Sequence, residues 1–515
     1  MSTFFSTWKK DLPASLVVFL VALPLCLGIA LATTGDSTKL FSGVIAGIVG
    51  GIVVASISGS RLGVSGPAAG LITIVAVAIE TIGSFEGLLL AIVFSGIIQL
   101  IASYLKAGVI GYYFPSSVIK GMLAAIGITL ILKEIPHALG YDVDFMGDDA
   151  FIQKDHHNTF SELFYALKVL SPGAIIISIL SIVILILFDK PFLKRFGLFQ
   201  LLPGALFVVL LGVGLNAFFK IYFPSYYLDG NHLVNLPVSE SFNDFTSFFI
   251  FPDFSMLGNK DVYIVGLTIA LVGSLETLLS VEAVDKIDPE KFVTPKNREL
   301  AAQGIGNIVS GMIGGLPITQ VIVRSSANVT SGGKSKLAAI IHGVLLLLTV
   351  VLIPFYLNLI PLASLSAILL MVGYKLSKVG LYKQMYKLGN AQFLPFIVTI
   401  IAILFTDLLK GILIGILIAV LFILKRNHTN AFKKVEKINE DGVLRIVLSE
   451  QITFINKSAI SELLLGLPLN TKVVIDGNNC QSIDYDVIEL IHDFKEHEAI
   501  KRNIDIHLSG IPDFK

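Results

Sequence analysis

Two cysteines in 515 residues leave no material for a disulfide framework. Cys26 lies in an apolar run and Cys480 in a polar tail, so the two are not expected to pair. Charge is equally scarce. Charged residues make up 15% of the chain against 54% hydrophobic, with a mean hydropathy of +0.81, which excludes a soluble globule. What charge exists cancels, 38 Lys and Arg against 38 Asp and Glu, so no basic excess supports nucleic-acid binding. No Ser-His-Asp constellation stands out, and the chain does not read as an enzyme. Gly332-Gly333-Lys334-Ser335 lacks the upstream glycine of a phosphate-binding loop, Asn328 standing there instead, so nucleotide is not expected. Asp155-His156-His157 is an isolated pair of histidines in a loop and reads as solvated rather than metal-ligating. No cofactor is expected. Lys9 and Lys10 precede the first apolar run, but no small-residue cleavage site follows, so that run reads as a retained span.

What the chain has is long apolar runs. Fourteen stretches between residues 12 and 425 are candidates for membrane spans, the short ones reading as broken helices. They fall into seven over residues 12–219, a long polar connection, and seven over 262–425. An odd number per half inserts the second half upside down, which is an inverted repeat. With the N-terminus inside, the cytoplasmic loops carry Arg61, Lys106, Lys120, Lys190, Lys194 and Arg195, then Lys286, Lys291, Lys296 and Arg298. The outside loops carry Asp142, Asp144, Asp148, Asp149, Asp155 and Glu162, then Asp229, Glu240, Asp244 and Asp253. This asymmetry satisfies the positive-inside rule and places the protein in a cytoplasmic membrane. Gly43, Gly47, Gly50 and Gly51 place small residues along one helix and read as close packing. Residues 1–426 thus form a membrane domain, and the tail alternates like a small α/β domain over 436–515.

Two spans are broken by glycine and proline at corresponding positions, third in each half: Val64-Ser65-Gly66-Pro67-Ala68-Ala69-Gly70 and Gly314-Gly315-Leu316-Pro317-Ile318-Thr319-Gln320. Proline is tolerated in a helix's first turn, where its missing N–H has no partner to lose. Paired broken spans point to a transporter's central site. Each helix N-terminus offers unpaired N–H groups and about half a positive charge, which suits a small anion.

These residues resemble the SulP (sulfate permease) family over nearly the whole length. The resemblance is carried by Leu23-Pro24-Leu25-Cys26-Leu27-Gly28, Ser65-Gly66-Pro67-Ala68, Phe114-Pro115 with Val118-Ile119-Lys120-Gly121, and Asn297-Arg298-Glu299-Leu300 with Gln303-Gly304 and Gly306-Asn307. Gly315-Leu316-Pro317 through Arg324-Ser325 and Ser331-Gly332-Gly333-Lys334 completes it. The resemblance implies an all-α polytopic membrane protein with 14 transmembrane segments in a 7+7 inverted repeat of the uracil-permease type. It implies core and gate domains, a cytoplasmic STAS domain, a homodimer, and a small inorganic anion such as sulfate or bicarbonate as substrate.

The expected substrate site comprises Ser65, Gly66, Pro67, Ala68 and Ala69 of one broken span, and Pro317, Ile318 and Thr319 of the other. Backbone N–H groups near Ala68, Ala69, Ile318 and Thr319 would be donors, with the Ser65 and Thr319 hydroxyls. Dipole ends alone do not offset the desolvation of a bare anion. Arg324, seven residues beyond Pro317, is the supplement, and it matches an arginine that similar members place beside their substrate. A mid-membrane arginine costs about 2.5–3.5 kcal/mol on insertion scales; the competing reading is that it snorkels to the cytoplasmic edge. Leu25 stands where many members have glutamine, and a similar leucine occurs in bicarbonate-type members.

Glu276, with Ser280 one turn on, matches the coupling-ion position of Na⁺/bicarbonate symporters; Gln320-Val321-Ile322 is bulkier and less polar than their sodium sites. The coupling ion is therefore Na⁺ or H⁺. Rival readings are an uncoupled channel or exchanger, a nucleobase permease, and an anion sensor signalling through the tail. In the tail, Tyr485 and Asp486 replace the serines of phosphorylatable STAS relatives, so no seryl switch is expected.

Overall fold

The computed structural model describes residues 7–144, 146, 151, 158–190, 203–235, 248–429, 431–438 and 443–513. Asp148, Asp149, Asp155-His156-His157, Lys194, Arg195, Glu240 and Asp244 lie outside them. The chain divides into two compact units, Met1–Ile416 and Leu417–Lys515.

Between residues 8 and 429 each apolar run has a helical counterpart. These are α1 Trp8–Thr34, α2 Leu40–Ile57, α3 Ile72–Ile82, α4 Phe85–Tyr104, α5 Ser116–Leu139, α6 Pro172–Phe188 and α7 Gly204–Tyr222. The second set is α8 Lys260–Ile287, α9 Lys296–Met312, α10 Ile322–Thr330, α11 Leu337–Leu352, α12 Leu362–Leu376, α13 Asn390–Phe405 and α14 Leu408–Thr429. Among the described residues seven helices are long and apolar enough to cross a membrane: α1, α2, α4, α7, α8, α12 with its continuation to Lys387, and α14. The others are short or carry buried polar groups.

Local chemistry explains the ends. α1 stops at Gly35, whose φ of 66° lets its N–H cap Leu31. α4 begins at Ser84, whose hydroxyl accepts the Gly87 N–H, and α8 at Asn259, which accepts from Asp261. In α2, Gly50–Val54 forms a π turn. There the backbone presses on its neighbours: a Cβ on Gly50 would strike the Ser65 carbonyl, and one on Gly51 would come within 2.6 Å of Gly343. The glycine row packs helices, as the small-residue pattern predicts.

At the centre the fold departs from all-α. Strands β1 Ser65–Pro67 and β2 Ile318–Gln320 form an antiparallel ribbon pairing Ser65 with Gln320, Gly66 with Thr319 and Pro67 with Ile318. Helices α1, α2, α8 and α9 pack against this ribbon with α4 and α11 packed on them, and α5, α6, α7, α12 and α13 form a second group.

Far along the chain from that centre, the loop after α5 folds into a clasp. Asp142 Oδ1 lies 2.6 Å from His137 Nδ1, and its Oδ2 lies 2.6 Å from His232 Nδ1. Burial alone would raise the Asp142 carboxyl, yet the two histidine bonds outweigh it and hold it below the usual carboxylate range. His232 is raised, first by its bond to Asp142 and further by Asp229. A histidine raised on folding contributes stability below its unfolded value of about 6.5, and loses it as pH climbs through the raised value. The depressed aspartate loses its contribution only in acid. The unfolding temperature of the detergent-purified protein should therefore fall as pH rises from about 6.5. Asp142→Asn should lower it at neutral pH and flatten that slope; an unaltered slope contradicts the clasp.

The second unit holds the sheet β3 Phe432–Ile438, β4 Val443–Leu448, β5 Lys472–Asp476 and β6 Asp505–Ser509, in that order. β3 runs antiparallel to β4, and the remaining pairs are parallel. Helices α15 Lys457–Leu465 and α16 Tyr485–Asp493 bring Ile460, Leu464, Val487 and Ile491 onto the buried Ile446, Ile475 and Ile506. Asp484 caps α16 by accepting the Asp486 N–H at 3.0 Å, and Asp486 adds charge favourable to the helix N-terminus.

Candidate anion site

The ribbon decides where the two half-helices begin, and it moves both starts away from the prolines. Pro67 sits in β1, and the first helical turn is the 3₁₀ turn Ala69–Leu71 leading into α3. Pro317 precedes β2, and α10 begins at Ile322, after Val321 with φ −105°. The expectation of proline in each first turn is thus corrected by short strands that pair across the repeats.

The donors shift accordingly. The Ile318 N–H donates to Asn307 Oδ1 at 2.6 Å and cannot serve an anion. Thr319 stands opposite Gly66 in the ladder. Ser65 Oγ accepts from Gln303 Nε2 at 2.8 Å and faces the interior of the ribbon's support. The N–H groups that precede the first intrahelical bonds are those of Ala69 and Gly70, ahead of Leu71 N–H to Ala68 C=O at 3.3 Å. On the second half-helix they are those of Ile322, Val323 and Arg324, ahead of Ser325 N–H to Val321 C=O at 3.1 Å.

These residues line one cavity of about 980 Å³. Leu25 and Ile29 of α1, Ala69 and Gly70, Glu276 and Ser280 of α8, and Ile322–Arg324 bound it on one side. Ile126, Thr129 and Leu130 of α5 bound it on the other, and it extends to Thr406–Lys410 between α13 and α14. Of the residues expected from sequence, Leu25, Ala69, Glu276, Ser280 and Arg324 meet here. Ser65, Gly66, Pro67, Ile318 and Thr319 build the ribbon and Ala68 and Pro317 flank it, and none of them lines the cavity.

Arg324 does not snorkel. Its side chain is 0% exposed, and among the described residues none of its three guanidinium nitrogens has a nitrogen or oxygen hydrogen-bond partner; the buried Cys26 thiol, a weak acceptor, lies beside it. It lies over Gly66, where a Cβ would collide with Nη1. A buried polar group without a partner costs about 1–3 kcal/mol, and a charged one more. The Thr319 hydroxyl and both side-chain amide atoms of Gln320, also buried, have no hydrogen-bond partner among the described residues. Glu276 places its carboxylate against Gly70; a Cβ there would stand 3.0 Å from Oε2 and 3.1 Å from Oε1. A carboxylate therefore already rests beside the positive end of the first half-helix.

Sequence reasoning missed Thr73, Thr129, Thr268 and the Asp407–Lys410 turn as lining residues. Thr73 follows Gly70 by three residues on the same helical face, which is the signal that could have found it. The Lys334 and Ser335 N–H groups donate to Asp11 Oδ1 at 2.7 and 3.0 Å, so the apparent phosphate loop has its amides engaged.

The "Sulfate permease family" model matches residues 8–399. "Putative sulfate transporter YvdB" of Bacillus subtilis is 29% identical over 420 residues, 81% of this chain and 74% of its own length. "Bicarbonate transporter BicA" of Picosynechococcus is 24% identical over 460 residues, covering 87% of this chain and 76% of that one. Among solved structures, SLC26A9 superposes with a TM-score of 0.66 at 15% identity, over 98% of this chain and 84% of that chain. The transmembrane domain of a cyanobacterial BicA gives 0.52 at 21%, over 81% and 98%.

Proposed function

Because the chain belongs to the sulfate permease family of membrane anion transporters, we propose that it carries a small inorganic anion, bicarbonate or sulfate, by alternating access with Na⁺ or H⁺ as coupling ion. One observation carries the reading: Arg324, buried and with no nitrogen or oxygen partner among the described residues, stands in the first turn of a half-helix that lines a cavity. The anion would accept hydrogen bonds from the N–H groups of Ala69 and Gly70, from those of Ile322–Arg324, and from the guanidinium. Leu25 would close the site with an apolar wall. The helices around the ribbon would be the moving core, and the group of α5–α7 and α12–α14 the gate. The fourteen segments, with β1 and β2 completing the two half-helices, would form a 7+7 inverted repeat, and the antiparallel pairing of β1 with β2 supports repeats of opposite topology. Residues 436–515 would be a cytoplasmic STAS domain, and the transporter a homodimer.

Glu276 beside Gly70 supports coupling. While ionised it competes with the substrate for the same positive helix end, so a proton or Na⁺ on it would admit the anion. Ser280, one turn away in the cavity, would share an ion held by Glu276. Proteoliposomes of the full chain should accumulate labelled bicarbonate or sulfate when a pH or Na⁺ gradient is imposed. Counterflow without accumulation would instead mark an uncoupled exchanger, and no anion flux at all would reject transport.

A further inference from the structure

We infer that Asn307 of α9 is a positioning residue of the anion site, its carboxamide clamping β2 so that the first turn of α10 faces the cavity. The inference rests on the transport reading above. Asn307 Oδ1 accepts the Ile318 N–H at 2.6 Å, and Nδ2 donates back to the Ile318 carbonyl at 3.1 Å. The second Nδ2 hydrogen goes to Gln99 Oε1 at 2.8 Å, and Gln99 Nε2 donates to Ser274 Oγ at 3.3 Å. The side chain thus makes, on the free edge of β2, the pair of bonds that a third strand would make. A ribbon of two three-residue strands has little stability of its own. Its edges are instead fixed from α9.

The neighbours of Asn307 on that helix do related work. Gln303, one turn earlier, donates to Ser65 Oγ of β1 at 2.8 Å and to Glu299 Oε1 at 3.0 Å, while Glu299 accepts from Ser58. Ser310, three residues later, donates to the Leu316 carbonyl at 2.7 Å. Residues 299, 303, 307 and 310 follow helical spacing, so one polar stripe of a membrane helix is spent on the ribbon. None of its members lines the cavity. Between Ile318 and Ile322 the chain is held by the ladder, by Val321 N–H to Val64 C=O at 2.9 Å and by a long bond from Gln320 N–H to Thr277 Oγ1 at 3.4 Å. Freeing Ile318 therefore lets the N–H groups of Ile322–Arg324 drift from the anion.

The structure contains its own control. Asn216 of α7 clamps Leu228 with the same two bonds, both 2.9 Å, in a buried position outside the cavity lining. Asn307→Ala and Asn216→Ala in the full chain, reconstituted in liposomes, should both lower the unfolding temperature. Only Asn307→Ala should raise KM for the transported anion, by about tenfold or more, with Vmax kept within about twofold. A KM within about twofold of wild type, or an equal rise in both variants, overturns the assignment. If Asn307→Ala does not fold, Asn307→Asp keeps the acceptor for Ile318 N–H and loses the return donor; the same rise in KM is expected, and a wild-type KM overturns it. Hydrogen exchange over residues 318–326 reads the clamp without reference to flux. Faster exchange than wild type is expected in the Asn307 variant, and an unchanged rate refutes the clamp even if wild type moves neither anion. Absence of wild-type flux alone counts against the transport reading.

Discussion

Arg324→Ala reduces anion uptake to the level of empty liposomes while the protein remains folded at wild-type amount. The two halves of that expectation have one cause. Among the described residues the buried guanidinium has no nitrogen or oxygen partner and only the weak Cys26 thiol beside it, so its removal deletes a poorly compensated charge and costs the fold little. The substrate loses more. Hydrogen bonds to charged groups contribute about 1.5–3 kcal/mol each, so losing two weakens binding on the order of 10²-fold or more. Arg324→Lys restores a point charge without the planar fork and should recover only part of the uptake. Saturable uptake at wild-type KM in the alanine variant would remove Arg324 from the site.

Glu276→Gln is expected to separate movement from accumulation. Glutamine keeps the shape of the side chain that rests against Gly70 but cannot bind a proton or Na⁺ as a carboxylate does. With the competing charge gone, the helix end is open to anion at all times. Counterflow of labelled anion should persist, while the accumulation driven by a pH or Na⁺ gradient collapses to equilibrium. Uptake that keeps its wild-type dependence on both gradients would end the coupling role of Glu276. Loss of counterflow as well would assign the carboxylate to the anion site itself.

The sequence and the structure agree where local chemistry is decisive. The glycine-proline breaks at Pro67 and Pro317 were legible because few residues fit a broken membrane helix, and the helices follow the apolar runs. The ribbon was not legible. Three-residue strands are too short to show a two-residue period, and β1 and β2 lie some 250 residues apart. For that reason the half-helix starts were placed at the prolines, and the Ile318 N–H was assigned to an anion when it belongs to Asn307. The fate of Arg324 was likewise undecided by spacing alone. Two helical turns from a proline fits a snorkelling side chain as well as a buried one, and the complete burial of the guanidinium over the bare Cα of Gly66 separates the two. The His137–Asp142–His232 clasp joins residues 90 positions apart and left no local pattern. In the tail the buried strands and amphipathic helices follow their periodicity, whereas β3 became visible only through its pairing with β4.

A density map of the protein saturated with whichever of bicarbonate or sulfate it accumulates, compared with a map of the anion-free protein, bears most directly on the central claim. New density is expected in the cavity within hydrogen-bond reach of the Gly70 and Val323 N–H groups and of the Arg324 guanidinium. Anion density elsewhere, with those three groups unchanged and unoccupied, would contradict it.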